Sequence, residues 1–540
     1  MVAPLFFLSL VFAAAGSMLG TVTPWALSAA ALSLLALRRE SITQPLPWFE
    51  IVVLAYGLLV ALNTLFISPA YTPAGLYHPL LLVLAYFGVR KLADRATRYA
   101  AFGALMFGAI LAVWGLAQVG ISGIVRAHAI FETPATYAAV LNLLLLPVLV
   151  GVLVAQRKSY LPAIAVLLTA GLFAADSRGG LLALAAGLGA VLILGLRGNT
   201  LRRRGLLLVP VLLACAWIFV FVLQGLRAAE SAEPPPEARA ESSISRLELY
   251  SLSWNAWREQ PLAGTGYLTF RYALERGRAH LPSYGTTNET WFVHNDYLQT
   301  LQELGPLGLL ALVALAALPP LLAYRKLPNL PAAQRPFIVG ATAGLVTMAV
   351  HALVDFPFYV PLCLLIYGAL LGVIDGSLGG TAVAREKDRF PAHWVRAARA
   401  AVSTVAVIVL LRPVAAEAAG EWGLHKLAAG QGQRAAFWLG AAQRLDARDW
   451  RYHWYAGRFW EAQAMQTGNR EAARLAADAF AAGFDANPLE VKNLLGKISV
   501  HRRHRQLLRD PAHPNTLQQW LAQAKALAPL NPEVRWELAR

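Results

Sequence analysis

The residues of this chain that could do chemistry fall in four short stretches. "AADSRGG" carries Arg178, "SISRLELY" carries Arg246, "VHNDYL" carries His294 and Asn295, and "VHALVDFPFYVP" carries His351 and Asp355. Arginine binds an anion such as a diphosphate through a planar set of several donors. Histidine is the side chain suited to taking a proton from a hydroxyl at neutral pH. His294 precedes an apolar run by about a turn, with Asp296 and Glu303 near. His351 and Asp355 are spaced to share one face of a helix, which Pro357 then ends. Arg126 and His128 in "GIVRAHAIFETP", and Arg271 in "TFRYALERG", are further substrate-binding candidates. The sequence shows no Walker-type loop, no zinc-ligand spacing and no nucleophile elbow. No metal and no cofactor is expected.

These residues must be held by membrane helices. The chain has 540 residues, is 57% hydrophobic and only 14% charged, where a soluble protein carries roughly a quarter charged residues. Apolar runs of bilayer length are expected near 4–21, 24–38, 48–67, 74–90, 99–119, 135–155, 160–175, 180–197, 205–224, 305–324, 336–354, 358–376 and 396–412. The expected fold class is all-α, a polytopic bundle of about 12–13 spans. The N-terminal stretch resembles a signal peptide but lacks a basic lead, and is read as the first span. Cys215 and Cys363 lie in apolar runs, so no disulfide framework is expected.

Charge fixes the expected orientation. Arg38 and Arg39, Arg90 to Arg98, Arg157 and Lys158, Arg197 to Arg204, Arg325 to Arg335, and Arg385 to Arg389 all fall in alternate links, which places those links in the cytoplasm. The formal charge of +16 sits mostly there, which argues against nucleic acid as a partner. The opposite short links are nearly free of cations, except for Arg126 and Arg178. An arginine there could reach lipid headgroups. The scarcity of its kind favours an anion site, with two glycines letting backbone approach a ligand.

The domains expected are 1–224 with nine spans, 225–303 as a large outer loop, 304–412 with four spans, and 413–540 as a helical tail. The loop begins with a Pro-, Ala- and Glu-rich stretch. It continues as an amphipathic helix with Leu247, Tyr250, Leu252, Trp254 and Trp257 at near-helical spacing. "PLAGTG" ends that helix in a glycine turn. In the tail, "LDARDWRYHW" (445–454), "FDANPLEVKN" (484–493) and "LAPLNPEVRW" (527–536) read as three copies of one phrase about 40 residues apart, similar to tetratricopeptide repeats. Such a tail packs on the membrane domain or on a protein partner.

An outward cavity with arginines, a histidine and access to lipid would suit a pre-activated lipid diphosphate donor. The motifs "SRGG" (177–180), "SRLELYSLSWNAWREQPLAGTGYLTF" (245–270), "HNDYLQTLQELGPLG" (294–308) and "HALVDFPFYVP" (351–361) resemble, in the same order, the O-antigen ligase/O-antigen polymerase superfamily. That superfamily includes bacterial O-linked oligosaccharyltransferases. The resemblance covers roughly 120–380. It implies metal-independent transfer of a glycan from a polyprenyl-diphosphate carrier to a glycan, lipid or protein acceptor. The setting implied is the periplasmic face of the bacterial inner membrane, with the tail on the same side. Arg178 and Arg246 are implied to hold the diphosphate and His294 to help activate the acceptor. Protein O-glycosylation and transport of lipid-linked glycans remain the alternatives.

Overall fold

The computed structural model describes residues 2–36, 47–90, 92, 94–154, 160–200, 218, 236–281, 290–379, 392–508 and 514–539. No strand occurs among the described residues. The first eight helices are α1 (Val2–Leu19), α2 (Val22–Ala36), α3 (Pro47–Leu62), α4 (Ala74–Arg90), α5 (Asp94–Gly120), α6 (Pro134–Val154), α7 (Leu161–Ala174) and α8 (Arg178–Arg197). Next come α9 (Pro236–Glu259), α10 (Phe270–Gly277), α11 (Asp296–Lys326), α12 (Arg335–His351) and α13 (Pro361–Leu378). The C-terminal part is α14 (Ala392–Ala428), α15 (Gly432–Leu445), α16 (Trp450–Thr467), α17 (Arg470–Ala486), α18 (Val491–Arg503), α19 (Pro514–Leu527) and α20 (Pro532–Ala539).

Seven helices are long and apolar enough to cross a membrane: Val2–Leu19, Trp48–Ile67, Thr97–Gly120, Pro134–Val154, Arg178–Arg197, Asp296–Asn329 and Pro361–Leu378. Three shorter apolar helices accompany them, Val22–Ala36, Ala74–Arg90 and Leu161–Ala174. The protein is therefore a multi-pass membrane protein. The stretches 336–354 and 396–412 fall on α12 and within α14, and 205–224, with Cys215, lies outside the described span set.

Two helices form the centre. Pro134–Val154 is 83% buried and Pro361–Leu378 is 78% buried, against 33–44% for the other five long apolar helices. Protein rather than lipid surrounds these two. On α13, Gly368, Gly372 and Gly376 face the carbonyls of Leu82, Tyr86 and Arg90 on α4 so closely that a Cβ would stand 2.3, 2.5 and 2.8 Å from them. One small residue per turn lets two backbones pack tightly in a membrane, where water supplies no drive for association. The buried Asp375 at the end of this seam accepts from Tyr86 at 2.7 Å and lies 3.5 Å from Arg90.

Helix α11 crosses the domain boundary expected at 303/304. It has two legs. Gly305 lies at φ 70°, ψ −171°, a region open essentially to glycine alone, and Pro306 follows. The break frees the carbonyls of Gln302 and Glu303, which accept from the amides of Thr265 at 2.8 Å and Gly266 at 3.0 Å. The "PLAGTG" turn and the "ELGPLG" kink thus satisfy each other's backbone. The second leg is the expected apolar span. The first leg buries polar residues, Asp296, Gln299, Thr300, Gln302 and Glu303, together with Leu304, while Leu298 packs partly on the α9 cluster.

Helix α9 also differs from expectation. Leu247 and Trp254 are exposed, and the buried face is Leu249, Ser253 and Ala256. That face packs with Phe270, Ala273, Leu274 and Val293. Tyr250 and Leu252 of the expected stripe pack partly on this cluster, while Leu247 and Trp254 stay on the open side of the helix.

The C-terminal helices pack consecutively. The three similar phrases adopt one turn: the amides of Asp449, Glu490 and Asn531 bond the carbonyls of Asp446, Asn487 and Ala528. Each turn then caps the next helix through Asp449, Glu490 or Asn531. Helix α14 runs unbroken across the boundary expected at 412/413. Its Glu417 accepts from Val22 N and Thr23 N, both at 2.8 Å, and so caps α2. Arg448 bonds the carbonyl of Leu65 and lies over the Tyr71 ring. These contacts set the C-terminal helices at the end of the bundle where the α9–α11 loops gather, since Asn63 and Ser68 meet Tyr267 and Gly266 there.

Candidate active site

The site is built where the start of α11 meets the turn after α12. Asn295 takes the N-cap position of α11, and its Oδ1 accepts from Leu298 N at 3.0 Å. The cap turns the chain, and His294 just before it sits at φ 59°. A non-glycine residue is rarely held in this conformation. Two bonds hold it here: the Tyr250 hydroxyl donates to the His294 carbonyl at 3.1 Å, and Val293 N donates to Gln299 at 2.9 Å. Beneath, Phe292 stacks on Phe356 at 4.1 Å, and Phe356 meets the His294 ring edge-on.

The turn after α12 is strapped to the same place. Asp296 N donates to the Ala352 carbonyl, and Phe358 N donates to Asp296 Oδ2, both at 2.8 Å. This brings Asp355 to His294, with Nδ1 3.0 Å from Oδ1. His351 Nε2 lies 3.6 Å from the other carboxylate oxygen. Asp355 is thus shared by two histidines although it lies beyond the end of α12. It is buried, whereas the His294 side chain is 22% exposed. With Nδ1–H donating to Asp355, Nε2 of His294 carries the lone pair; the Thr290 hydroxyl stands 3.5 Å from it.

The two arginines approach from other elements. Ser177 caps α8, its hydroxyl accepting from Gly180 N at 3.1 Å, and Asp176 before it sits at φ 45°. Arg178 is the first residue of that helix and exposed. Next to it, Gly179 packs on His351: a Cβ there would stand 3.2 Å from Nε2. A side chain would fill the space between α8 and the histidine. Arg246, on α9, acts electrostatically on both Tyr250 and His351. Burial pushes the Tyr250 phenol up, while the Arg246 guanidinium and a bond to Asn295 pull it down. The net rise keeps it a donor to the His294 carbonyl. Neither Arg178 nor Arg246 forms a hydrogen bond or ion pair with the described residues. Two cations with no ion-pair partner among the described residues, one on a helix N-terminus, suit an anion.

The structure therefore brings together Arg246, His294, Asn295, His351 and Asp355, with the backbone beside Arg178. It places the other candidates differently. Arg126 uses its guanidinium on the carbonyls of Ala175 at 3.3 Å and Asp176 at 2.9 Å, so it braces the turn that presents Arg178. His128 Nδ1 bonds the Phe131 carbonyl at 2.7 Å within its own loop. Arg271 lies between the Tyr272 and Trp291 rings. Asp296 and Glu303, near His294 in sequence, are fully buried supports. Glu303 accepts from Leu268 N, Phe270 N, Gln299 and Tyr359, and so pins the loop after α9 to α11. Sequence reasoning did not single out Tyr250 or the pairing of His294 with Asp355. Tyr250 had a signal, since it follows Arg246 by one helical turn.

Residues 163–313 match a family model described as O-Antigen ligase. The matched segment contains Arg178, Arg246 and His294 and ends before His351 and Asp355. No curated protein matches the chain. The family match bears out the resemblance to the O-antigen ligase/O-antigen polymerase superfamily, and with it a membrane transferase of glycosyltransferase type.

Proposed function

We propose that the protein moves a glycan from a polyprenyl-diphosphate carrier to an acceptor hydroxyl, at the periplasmic face of a bacterial inner membrane. The observation that carries this reading is a pair of arginines with no ion-pair partner among the described residues, Arg246 and Arg178, the first acting on His351 and the second next to the glycine that packs on it, with His351 joined through Asp355 to His294. In the proposed step the acceptor hydroxyl gives its proton to Nε2 of His294. Its oxygen attacks the anomeric carbon, and the bond to the diphosphate oxygen breaks. The departing diphosphate gains charge, which Arg178 and Arg246 offset through charge-assisted donors. Asp355 keeps the ring in the tautomer that can accept, and steadies the imidazolium that forms. A single displacement inverts the anomeric configuration.

The large loop and the tail would lie on the periplasmic side, and a bundle of 12–13 spans fits the alternation of basic links. The repeated turn in the tail supports a tetratricopeptide-like reading, with a surface for a protein partner. The same residues would serve a protein O-oligosaccharyltransferase. A transporter of lipid-linked glycan would use the arginines for binding only.

The test is purified protein in liposomes with lipid-linked glycan and an acceptor. A new glycosidic bond with free polyprenyl diphosphate in equal amount is expected. Movement of the lipid-linked glycan across the bilayer with no new bond would overturn the reading in favour of transport.

A further inference from the structure

We infer that Trp291, Arg271 and Tyr272 form a glycan subsite beside His294, braced by the C-terminal helices; this rests on the transfer reading above. The Arg271 guanidinium lies 4.6 Å from the Tyr272 ring centroid and 4.8 Å from that of Trp291. It donates to the Tyr272 hydroxyl, and its buried Nε has no partner among the described residues. Asn487, from the turn between α17 and α18, donates to the same hydroxyl at 2.7 Å. A rotamer-rich side chain is thus held in place before any ligand arrives, while Trp291 keeps 55% of its surface open.

The chemistry of this cluster fits a sugar. A sugar ring offers a C–H face, which packs on an aromatic ring, and hydroxyls, which pair with planar donors. Trp291 supplies the first and the partly exposed guanidinium of Arg271 the second. An acyl chain would offer that guanidinium no acceptor. A phosphate headgroup would compete for the same guanidinium edge, and a phosphatidylglycerol probe distinguishes the two. Trp291 is three residues from His294, at most about 10 Å of chain. A glycan whose hydroxyl reaches His294 passes this cluster. The diphosphate end lies elsewhere, at Arg178 and Arg246. The subsite therefore reads the acceptor glycan, and the C-terminal helices share in that selection through Asn487.

The experiment is saturation-transfer NMR on the detergent-solubilised full chain. The probe is the glycan freed by mild acid from the cell's own polyprenyl-diphosphate pool, which in polymer growth is donor and acceptor alike, with short-chain phosphatidylglycerol as a parallel probe. Trp291→Ala is expected to weaken glycan binding roughly tenfold. Trp291→Phe should keep most of it, which separates lost stacking from lost folding. Arg271→Lys and Asn487→Leu should fall between, and acceptor KM should rise more than kcat falls. Glycan binding by Trp291→Ala equal to wild type overturns the subsite. So does a loss confined to phosphatidylglycerol, which would mark a headgroup site. If Trp291→Ala loses the glycan but wild type forms no glycosidic bond, the subsite stands and the transfer reading fails.

Discussion

The residue that organises the site is Asp355, because its carboxylate reaches both histidines. Its bond to His294 Nδ1 at 3.0 Å decides which ring nitrogen is free for an acceptor. Asp355→Asn keeps the shape but can donate to Nδ1, which favours the wrong tautomer. Transfer should slow by about 100- to 10,000-fold, as for loss of a general base, while donor binding persists; both are measured on the same purified variant. In the proposed step the arginines act on the other end of the bond that breaks. Arg178→Ala and Arg246→Ala should each slow transfer by about 100- to 1000-fold, and Lys at either position should not restore it, because the contacts are multi-donor. Near-normal turnover in a folded variant would remove that residue from the mechanism. These roles were only partly legible. Two arginines and a histidine stood out against an apolar background, where ionisable groups are expensive. The partner of His294 did not, because Asp355 is 61 positions further on, in a turn that the strap through Asp296 and the Phe292–Phe356 stack bring near.

At the scale of elements, the kink at Gly305 is the feature that holds the loop to the bundle. A Cβ there would stand 2.2 Å from the Leu262 carbonyl oxygen, at a backbone angle other residues avoid. Gly305→Ala should destabilise the fold by about 1–3 kcal/mol, seen as a lower midpoint of thermal unfolding in detergent; an unchanged midpoint would mean the turn relaxes freely. A second element carries a pH signature. Burial pushes the Asp446 carboxyl up to about 6, with Asp449 adding to the rise. The folded state then holds a proton that the unfolded chain gives up near the ordinary carboxylate value. The resulting stability is fully present below about pH 4 and is lost as pH rises through about 6. The difference is at most about 3 kcal/mol. Hydrogen exchange at the 446–449 turn should quicken over that window in wild type, and Asp446→Asn should flatten the dependence. Glycine and proline in "ELGPLG" and "PLAGTG" made both turns visible in the sequence. The polar face of the first leg of α11 was not, since its leucines masked residues whose partners lie on α9 and in the loop after it.

For the molecule as a whole, hydropathy carried the all-helical membrane fold, because a backbone in lipid must satisfy its own hydrogen bonds. It did not reveal which helices are central. Pro134–Val154 has the highest mean hydropathy of the seven and Pro361–Leu378 the lowest, so hydropathy does not sort central helices from lipid-facing ones, and packing does. The repeated phrase in the tail was visible and its common turn is present, but the docking of the tail by Glu417, Arg448 and Asn487 depends on partners hundreds of residues away. That docking sets the tail beside the loops that carry His294. The central claim, that His294 takes the acceptor proton while the arginines hold the diphosphate, is tested most directly by one comparison. Donor binding and single-turnover transfer are measured side by side for wild type and His294→Gln. The account predicts unchanged donor binding and transfer slowed by about 100- to 10,000-fold. A variant that keeps most of its turnover, or that loses the donor as well, would contradict it.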